Sequence, residues 1–164
     1  MASSNARVQI VDAANRPIGS ARRCDMRRLR IWHRAVYILV LDQDGRICVQ
    51  RRTQRKDIFP GYRDLCAGGV VDAGEDIHRA ARRELEEELG LVTPLSWRLE
   101  LSFAEGTNAF GSVFVTRYQG EPLALQASEV EFVEWLTLEE ALNLDDATPD
   151  TLQVLQALKA QRLL

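Results

Sequence analysis

The sequence lacks the features that mark membrane, secreted and nucleic-acid-binding proteins. No apolar run approaches the roughly 20 residues that a membrane-spanning helix requires. The first residues lack the apolar core of a signal peptide. The net charge is only −3, so no overall positive field attracts the chain to nucleic acid or to an anionic membrane. We therefore expect neither a membrane nor a nucleic acid among its partners.

Cysteine is also scarce. The three cysteines, Cys24, Cys48 and Cys66, are odd in number and share no metal-ligand spacing, so a disulfide framework is not expected and a reducing cytoplasm is the default location. The length of 164 residues suits one domain with one core. The sequence therefore predicts a single cytoplasmic domain, residues 1–164.

The stretch from Gly69 to Leu91 is the most informative part of the chain. Its glycines, at positions 68, 69 and 74, predict a turn that leads into a helix from about Glu75 to Leu89, and Gly90 is a typical helix end. At about 100° per residue the apolar side chains of this helix share one arc, which we expect to be buried. The residues of this arc are Ile77, Ala80, Ala81, Leu85 and Leu89.

Carboxylates interrupt this apolar arc. Glu84 and Glu88 fall inside it and Glu87 lies at its edge, whereas Glu86 points to solvent. Like charges four residues apart cost a few tenths of a kcal/mol, and anions near a helix C-terminus cost about 0.3–1 kcal/mol. Burying unpaired carboxylates costs more. A cation is therefore expected to offset the charge of this turn.

Two interpretations differ in what that cation is. One is a solvated acidic face in which Arg79, Arg82 and Arg83 are the partners. The other is a bound divalent ion, and the inward direction of two glutamates favours it. Carboxylates without a neighbouring cysteine are typical ligands of Mg²⁺ or Mn²⁺ rather than of Zn²⁺.

The same stretch resembles the signature of the Nudix hydrolases. In that family a glycine, five residues, a glutamate and seven residues precede Arg-Glu-apolar-x-Glu-Glu-x-Gly-apolar. The matching positions here are Gly69, Glu75, Arg83, Glu84, Leu85, Glu87, Glu88, Gly90 and Leu91. The resemblance implies an α/β fold, an α-β-α sandwich around a mixed sheet, with residues 69–91 as the Nudix box. It also implies an N-terminal β-hairpin extension over residues 1–34.

The resemblance implies a site as well. Glu84, Glu87, Glu88 and the carbonyl of Gly69 would bind Mg²⁺, or Mn²⁺, and Arg83 would orient a glutamate, either Glu75 or Glu87. The general base is expected to be Glu87 or Glu88. Glutamates of later segments are the alternative candidates, namely Glu105, Glu129 and Glu131.

Two basic segments could contact the phosphates of a substrate. The loop that contains Arg51, Arg55 and Lys56 is either an exposed loop or a binding site for a diphosphate, because arginine can bind two phosphate oxygens at once. Residues 22–34 contain six arginines, which form either a solvated surface, an anion-facing rim or a subunit contact. A homodimer formed through the N-terminal hairpin is therefore a further hypothesis.

The N-terminal hairpin, followed by Trp32 and His33, is similar to the Nudix proteins that look like isopentenyl diphosphate isomerase. The catalytic cysteine of that enzyme falls on Gly68, and its metal-binding histidine falls on Val70. The counterpart of its glutamate falls at Ala109 and Phe110. Because both proton-transfer groups are missing, we do not expect isomerisation.

The sequence thus predicts a Mg²⁺-dependent hydrolase that cleaves a phosphoanhydride in a nucleoside diphosphate linked to another group, or in a similar diphosphate. The partner would be a small molecule. The alternatives are an isomerase-like activity and a Nudix-fold binding module without turnover.

Overall fold

The computed structural model describes residues 6–164. The strands are β1 Arg7–Val11, β2 Pro17–Arg22, β3 His33–Leu41, β4 Ile47–Arg52, β5 Arg63–Asp64, β6 Ala67–Val70, β7 Ser96–Phe103, β8 Ala109–Arg117 and β9 Val130–Leu136. The helices are α1 Arg23–Leu29, α2 Ile77–Leu89, α3 Leu138–Leu142 and α4 Pro149–Ala160. Over these residues no helix has both the length and the apolar composition to cross a membrane.

Strand β3 is the centre of a mixed sheet. It runs parallel to β8 and antiparallel to β6, and it forms a hairpin with β4, which in turn pairs with β5 and β9. At its N-terminal end β3 also pairs with β1, whose antiparallel partner is β2. The predicted N-terminal hairpin is therefore present in the described residues, and residues 1–5 of the predicted extension lie outside them.

Helices cover both faces of the sheet, as an α/β sandwich requires. Because side chains alternate along a strand, Val36, Ile38 and Val40 of β3 pack on the face that carries α2. Leu39 and Leu41 pack on the opposite face, with the buried residues of α4. The inward face of α2 is therefore fixed against the centre of the sheet.

One local prediction needs correction. Gly68 and Gly69 do not form a turn, because both lie in β6 and pair with β3. Of the three predicted turn glycines, only Gly74 has the left-handed conformation, with φ +74°.

The structure also adds a helix within the arginine-rich residues 22–34. This helix is α1, and Met26 is the only buried residue of α1, which leaves no apolar periodicity to recognise.

The bounds of α2 follow from its caps. The side chain of Asp76 accepts hydrogen bonds from the backbone N–H groups of His78 and Arg79, at 3.1 and 3.3 Å. At the other end Gly90 adopts φ +70°, and its N–H donates to the Glu86 carbonyl at 2.9 Å. The helix predicted from about Glu75 to Leu89 is thus confirmed to within two residues at its start.

We expect Asp76→Ala to lower the free energy of unfolding by about 1 kcal/mol, because two N-terminal backbone donors lose their acceptor. For a domain of this size the melting temperature would fall by about 2–4 °C. Chemical and thermal unfolding measure both quantities. Glu86→Ala, at an exposed position of the same helix, is the matched control. Equal stabilities of the two variants would contradict the capping role.

Candidate active site

Two carboxyl groups of α2 point toward the sheet. Glu84 is 8% exposed, and Leu85 and Leu89 beside it belong to the core under β3. Burial raises the pKa of Glu84 to about 7, although Arg83 acts in the opposite direction. Burial, followed by the charge of Glu84, raises the pKa of Glu88 well above its usual value. Both pKa shifts have the same cause, since water is replaced by protein around a group that prefers to be charged.

Arg83 is the main cationic partner of this acidic turn. It binds both carboxylate oxygens of Glu75, through Nε at 2.7 Å and Nη2 at 2.9 Å. Its Nη1 donates to Glu84 at 2.8 Å and reaches Glu87 at 3.5 Å, and Nη2 also donates to the Val70 carbonyl at 3.3 Å. The hydrogen bond with Glu75 is the largest cause of the raised pKa of Arg83. This one guanidinium therefore connects the start of α2, its acidic turn and the end of β6.

Strand β6 approaches α2 closely because two of its residues have no side chain. A Cβ at Gly69 would lie 2.4 Å from Oε1 of Glu84, and a Cβ at Gly68 would lie 2.1 Å from the Val36 carbonyl oxygen. The N–H of Gly68 donates to Oε2 of Glu88 at 3.1 Å. The carboxylates and the glycine backbone therefore belong to one site.

The three alternative candidates for the general base, Glu105, Glu129 and Glu131, differ in their exposure and in their ion pairs. Glu129 forms an ion pair with Lys56, and it is near enough to Glu88 to raise the pKa of that carboxyl group. Glu105 and Glu131 are exposed. Among the three alternative candidates for a general base, Glu129 is supported by its charge interaction with Glu88 in the acidic turn of α2.

Arg51 and Arg55, the other two basic residues of the predicted phosphate-binding loop, do not share the ion pair that Lys56 forms with Glu129. Arg51 donates to the Gly61 carbonyl at 2.9 Å, and its guanidinium lies 5.5 Å from the centre of the Phe132 ring. Arg55 is exposed. Only Lys56 of the three is thus connected, through Glu129, to the acidic turn.

A half-buried ion pair close to the site has no signal in the sequence patterns. Asp64 of β5, whose charge acts on Glu88, pairs with Arg52 at 2.9 Å and accepts a hydrogen bond from Thr148 at 2.7 Å. Arg52 also donates to the carbonyls of Ile58 and Phe59, and so holds the loop between β4 and β5. The two charged residues meet through the pairing of β4 with β5, which leaves no local pattern to detect.

The donor set suits a hard divalent cation. Buried carboxylates and a backbone carbonyl are the oxygen ligands that Mg²⁺ and Mn²⁺ prefer, and both enclosed glutamates have raised pKa values that a cation would reverse. Within residues 6–164 no three His, Cys, Asp or Glu side chains are grouped as a ready metal site. Glu84 and Glu87 bind Arg83 instead, and Glu88 binds the N–H of Gly68.

Comparison with known proteins identifies the family. The NUDIX domain matches residues 31–158, which is most of the chain and includes the whole of the acidic helix. This chain belongs to the Nudix hydrolase family. Nudix hydrolase YfcD of Escherichia coli strain K12 is 44% identical over 151 residues, which cover 90% of this chain and 83% of the relative. The protein is therefore a hydrolase with the predicted α/β fold.

Solved structures agree with this assignment. The crystal structure of DR0079 from Deinococcus radiodurans has a TM-score of 0.79 and 28% identity, and covers 92% of this chain and 98% of that one. The NUDIX domain of Shewanella oneidensis NrtR, solved with ADP ribose, has a TM-score of 0.66 at 18% identity, and covers 81% and 89%. The predicted superfamily is confirmed, whereas the isomerase-like subgroup stays a hypothesis.

The raised pKa of Glu84 predicts a pH dependence of stability in EDTA. The folded protein holds this proton up to about pH 7, whereas the unfolded chain releases it near the ordinary value of 4.5. The stabilisation is therefore fully present below pH 4.5 and is lost as the pH rises through 7. We expect the melting temperature to fall between pH 5 and pH 8, and to fall less in Glu84→Gln, whose amide does not titrate. Glu86→Gln should match the wild type. An equal fall in all three proteins would contradict the burial of the Glu84 carboxyl group.

Proposed function

We propose that this Nudix hydrolase uses Mg²⁺, or Mn²⁺, to cleave a phosphoanhydride bond in a nucleoside diphosphate linked to another group, or in a similar diphosphate. The observation that carries the proposal is the pair of enclosed carboxyl groups, Glu84 and Glu88, against the glycine strand β6. The NrtR domain supports the substrate class, because ADP ribose is a compound of this kind.

In this proposal Glu84, Glu87, Glu88 and the carbonyl of Gly69 hold the metal ion. When bound, such an ion polarises phosphoryl oxygens and lowers the pKa of a coordinated water. The backbone of β6 is stiffened by its pairing with β3, so the Gly69 carbonyl is held in place. A side chain at this position would occupy the space of the Glu84 carboxylate.

A side chain of the protein must accept the proton of the attacking water. Glu87 or Glu88 is the proposed general base, because each belongs to the acidic turn that would hold the metal ion. Glu129 is the alternative that its proximity to Glu88 supports, while Glu105 and Glu131 are the remaining candidates. Arg83 acts as a positioning residue, since its bonds to Glu75, Glu84 and Glu87 fix the direction of the carboxylates.

Substrate binding by Arg51, Arg55 and Lys56 remains part of the proposal. Lys56 has the strongest support, because its partner Glu129 is near the acidic turn. Arg51 already interacts with Gly61, so phosphate binding would require it to exchange that contact.

We also propose that residues 1–164 form one domain, that the protein is cytoplasmic, and that it forms a homodimer.

We expect Glu87→Gln and Glu88→Gln each to lower kcat by about two orders of magnitude or more, because each removes a charged ligand of the metal ion. The fold should be retained, as circular dichroism would verify. Glu86→Gln removes the same charge from an exposed position of the same helix and should retain wild-type turnover. Unchanged kcat in both Glu87→Gln and Glu88→Gln would contradict the proposal that these two residues bind the metal ion.

A substrate panel provides the assay for these measurements. It contains nucleotide sugars, dinucleotides, nucleoside triphosphates, coenzyme A and prenyl diphosphates, each incubated with Mg²⁺ and analysed by mass spectrometry. Products that result from cleavage between phosphorus atoms would support the proposal. Rearranged isopentenyl diphosphate, or the absence of turnover with every compound in the panel, would contradict it.

Binding of Mg²⁺ should also raise the melting temperature, because a cation relieves the repulsion between the buried carboxylates and binds only the folded chain. Differential scanning fluorimetry over a titration to millimolar Mg²⁺ measures the shift. The shift should be lost in a Glu84→Gln, Glu88→Gln double variant and retained in Glu86→Gln. A wild-type protein that shows no shift would contradict a metal site at this turn.

A further inference from the structure

The helix of the N-terminal extension is fixed beside the candidate active site. Met26 of α1 is 2% exposed and packs with Val8 and Ile10 of β1, and Val70 of β6 packs against the same cluster. The N–H of Arg23 donates to the Ala6 carbonyl at 2.9 Å. Helix α1 is thus anchored to the end of the strand that contains Gly68 and Gly69.

The arginines of residues 22–28 divide into two groups. Asp25 of α1 pairs with Arg22, the last residue of β2, at 2.8 Å and with Arg28 of α1 at 3.2 Å, so Arg22 and Arg28 both have a partner. Arg23 and Arg27 are four residues apart and therefore share one face. In the described part of the chain, neither side chain forms an ion pair or a hydrogen bond.

The face that contains Arg23 and Arg27 is close to the acidic turn of α2. Arg23 is near enough to Glu84 to lower the pKa of that carboxyl group. Burial is the largest influence on Arg27 and lowers its pKa, as does the charge of Arg23, whereas the carboxylates of Asp57 and Glu129 act in the opposite direction. The two guanidinium groups thus lie within electrostatic range of Glu84 and Glu129, which were proposed as a metal ligand and as an alternative general base.

The two sides of the site carry charges of opposite sign, namely arginines on α1 and glutamates on α2. A third guanidinium, that of Arg52, is also close to Arg27, but Arg52 is already paired with Asp64. Arg23 and Arg27 retain their donors and repel each other, so an anion between them would relieve that repulsion. On the other side Glu84 and Glu88, with their raised pKa values, need a cation. A metal-bound diphosphate has the charges to satisfy both groups.

We propose that Arg23 and Arg27 form an anion site for the second phosphate of the substrate, the one that the glutamate-bound cation does not hold. This inference rests on the proposed function and deepens it. Helix α1 then selects compounds with two adjacent phosphate groups over monophosphates, and the N-terminal extension is a part of the active site. Two arginines suit this role, because each can bind a pair of phosphate oxygens.

Binding of a diphosphate that cannot be hydrolysed tests the inference without depending on turnover. The probe is methylenediphosphonate, titrated into the 164-residue chain by isothermal calorimetry, in Mg²⁺ and again in EDTA. Inorganic phosphate is the monophosphate comparison. The variants are Arg23→Gln, Arg27→Gln and their combination. Arg28→Gln is the matched control, because it removes the same charge from the same helix at a position paired with Asp25.

We expect each single variant to weaken methylenediphosphonate binding about tenfold, since it loses charge-assisted hydrogen bonds, and the double variant to weaken it further. Inorganic phosphate binding in Mg²⁺ should change far less, and Arg28→Gln should behave as the wild type. If a hydrolysed compound is found, the double variant should raise KM more than it lowers kcat.

Three results would overturn the inference while leaving the proposed function intact. One is wild-type affinity for methylenediphosphonate in the double variant, and another is an equal loss in Arg28→Gln, which would indicate a general effect of charge. The third is an equal loss of phosphate and methylenediphosphonate binding. Conversely, if no compound in the panel is hydrolysed but the arginine dependence is observed, the anion site stands and the hydrolase proposal fails.

Discussion

The constraint on which this site depends is the enclosure of two carboxylates between a helix and a strand. Glu84 and Glu88 lie on the face of α2 that the core requires to be apolar, and the chain tolerates them there because of two local features. Glycines in β6 provide the space and a backbone donor, and Arg83 provides positive charge. These features offset only part of the cost of enclosing the two carboxylates, since burial still raises the pKa of both glutamates. A bound cation would favour their charged form, which makes the site receptive to a cation.

The parts of the fold that local patterns determine could be predicted from the sequence. Helix α2 is predicted correctly because its apolar arc and Gly90 define it. Helix α1 was missed because a single buried methionine gives no period. Gly68 and Gly69 were assigned to a turn since glycine is common there, whereas here the missing side chains allow strand β6 to pass close to its neighbours.

The candidate site could be predicted to a similar extent. The inward direction of Glu84 and Glu88, and the link between Arg83 and Glu75, follow from helix geometry and from the family resemblance. The pairing of Asp64 with Arg52, and of Lys56 with Glu129, joins residues of different segments of the chain. Such contacts depend on the register of strand pairing, which no local pattern records. The sequence raised an anion-facing role for residues 22–34, but only the structure separates Arg23 and Arg27 from their paired neighbours on α1.

The parallel pairing of β3 with β8 has a consequence for synthesis in the cell. Strand β3 ends at Leu41, but the strand that covers one of its edges begins only at Ala109. A growing chain therefore emerges from the ribosome with an apolar strand whose edge has no partner until most of the protein has been translated. Such edges readily pair with other chains. Ribosome stalling or truncation before residue 109 would thus yield a fragment prone to aggregation, and protection by chaperones would matter most in that interval.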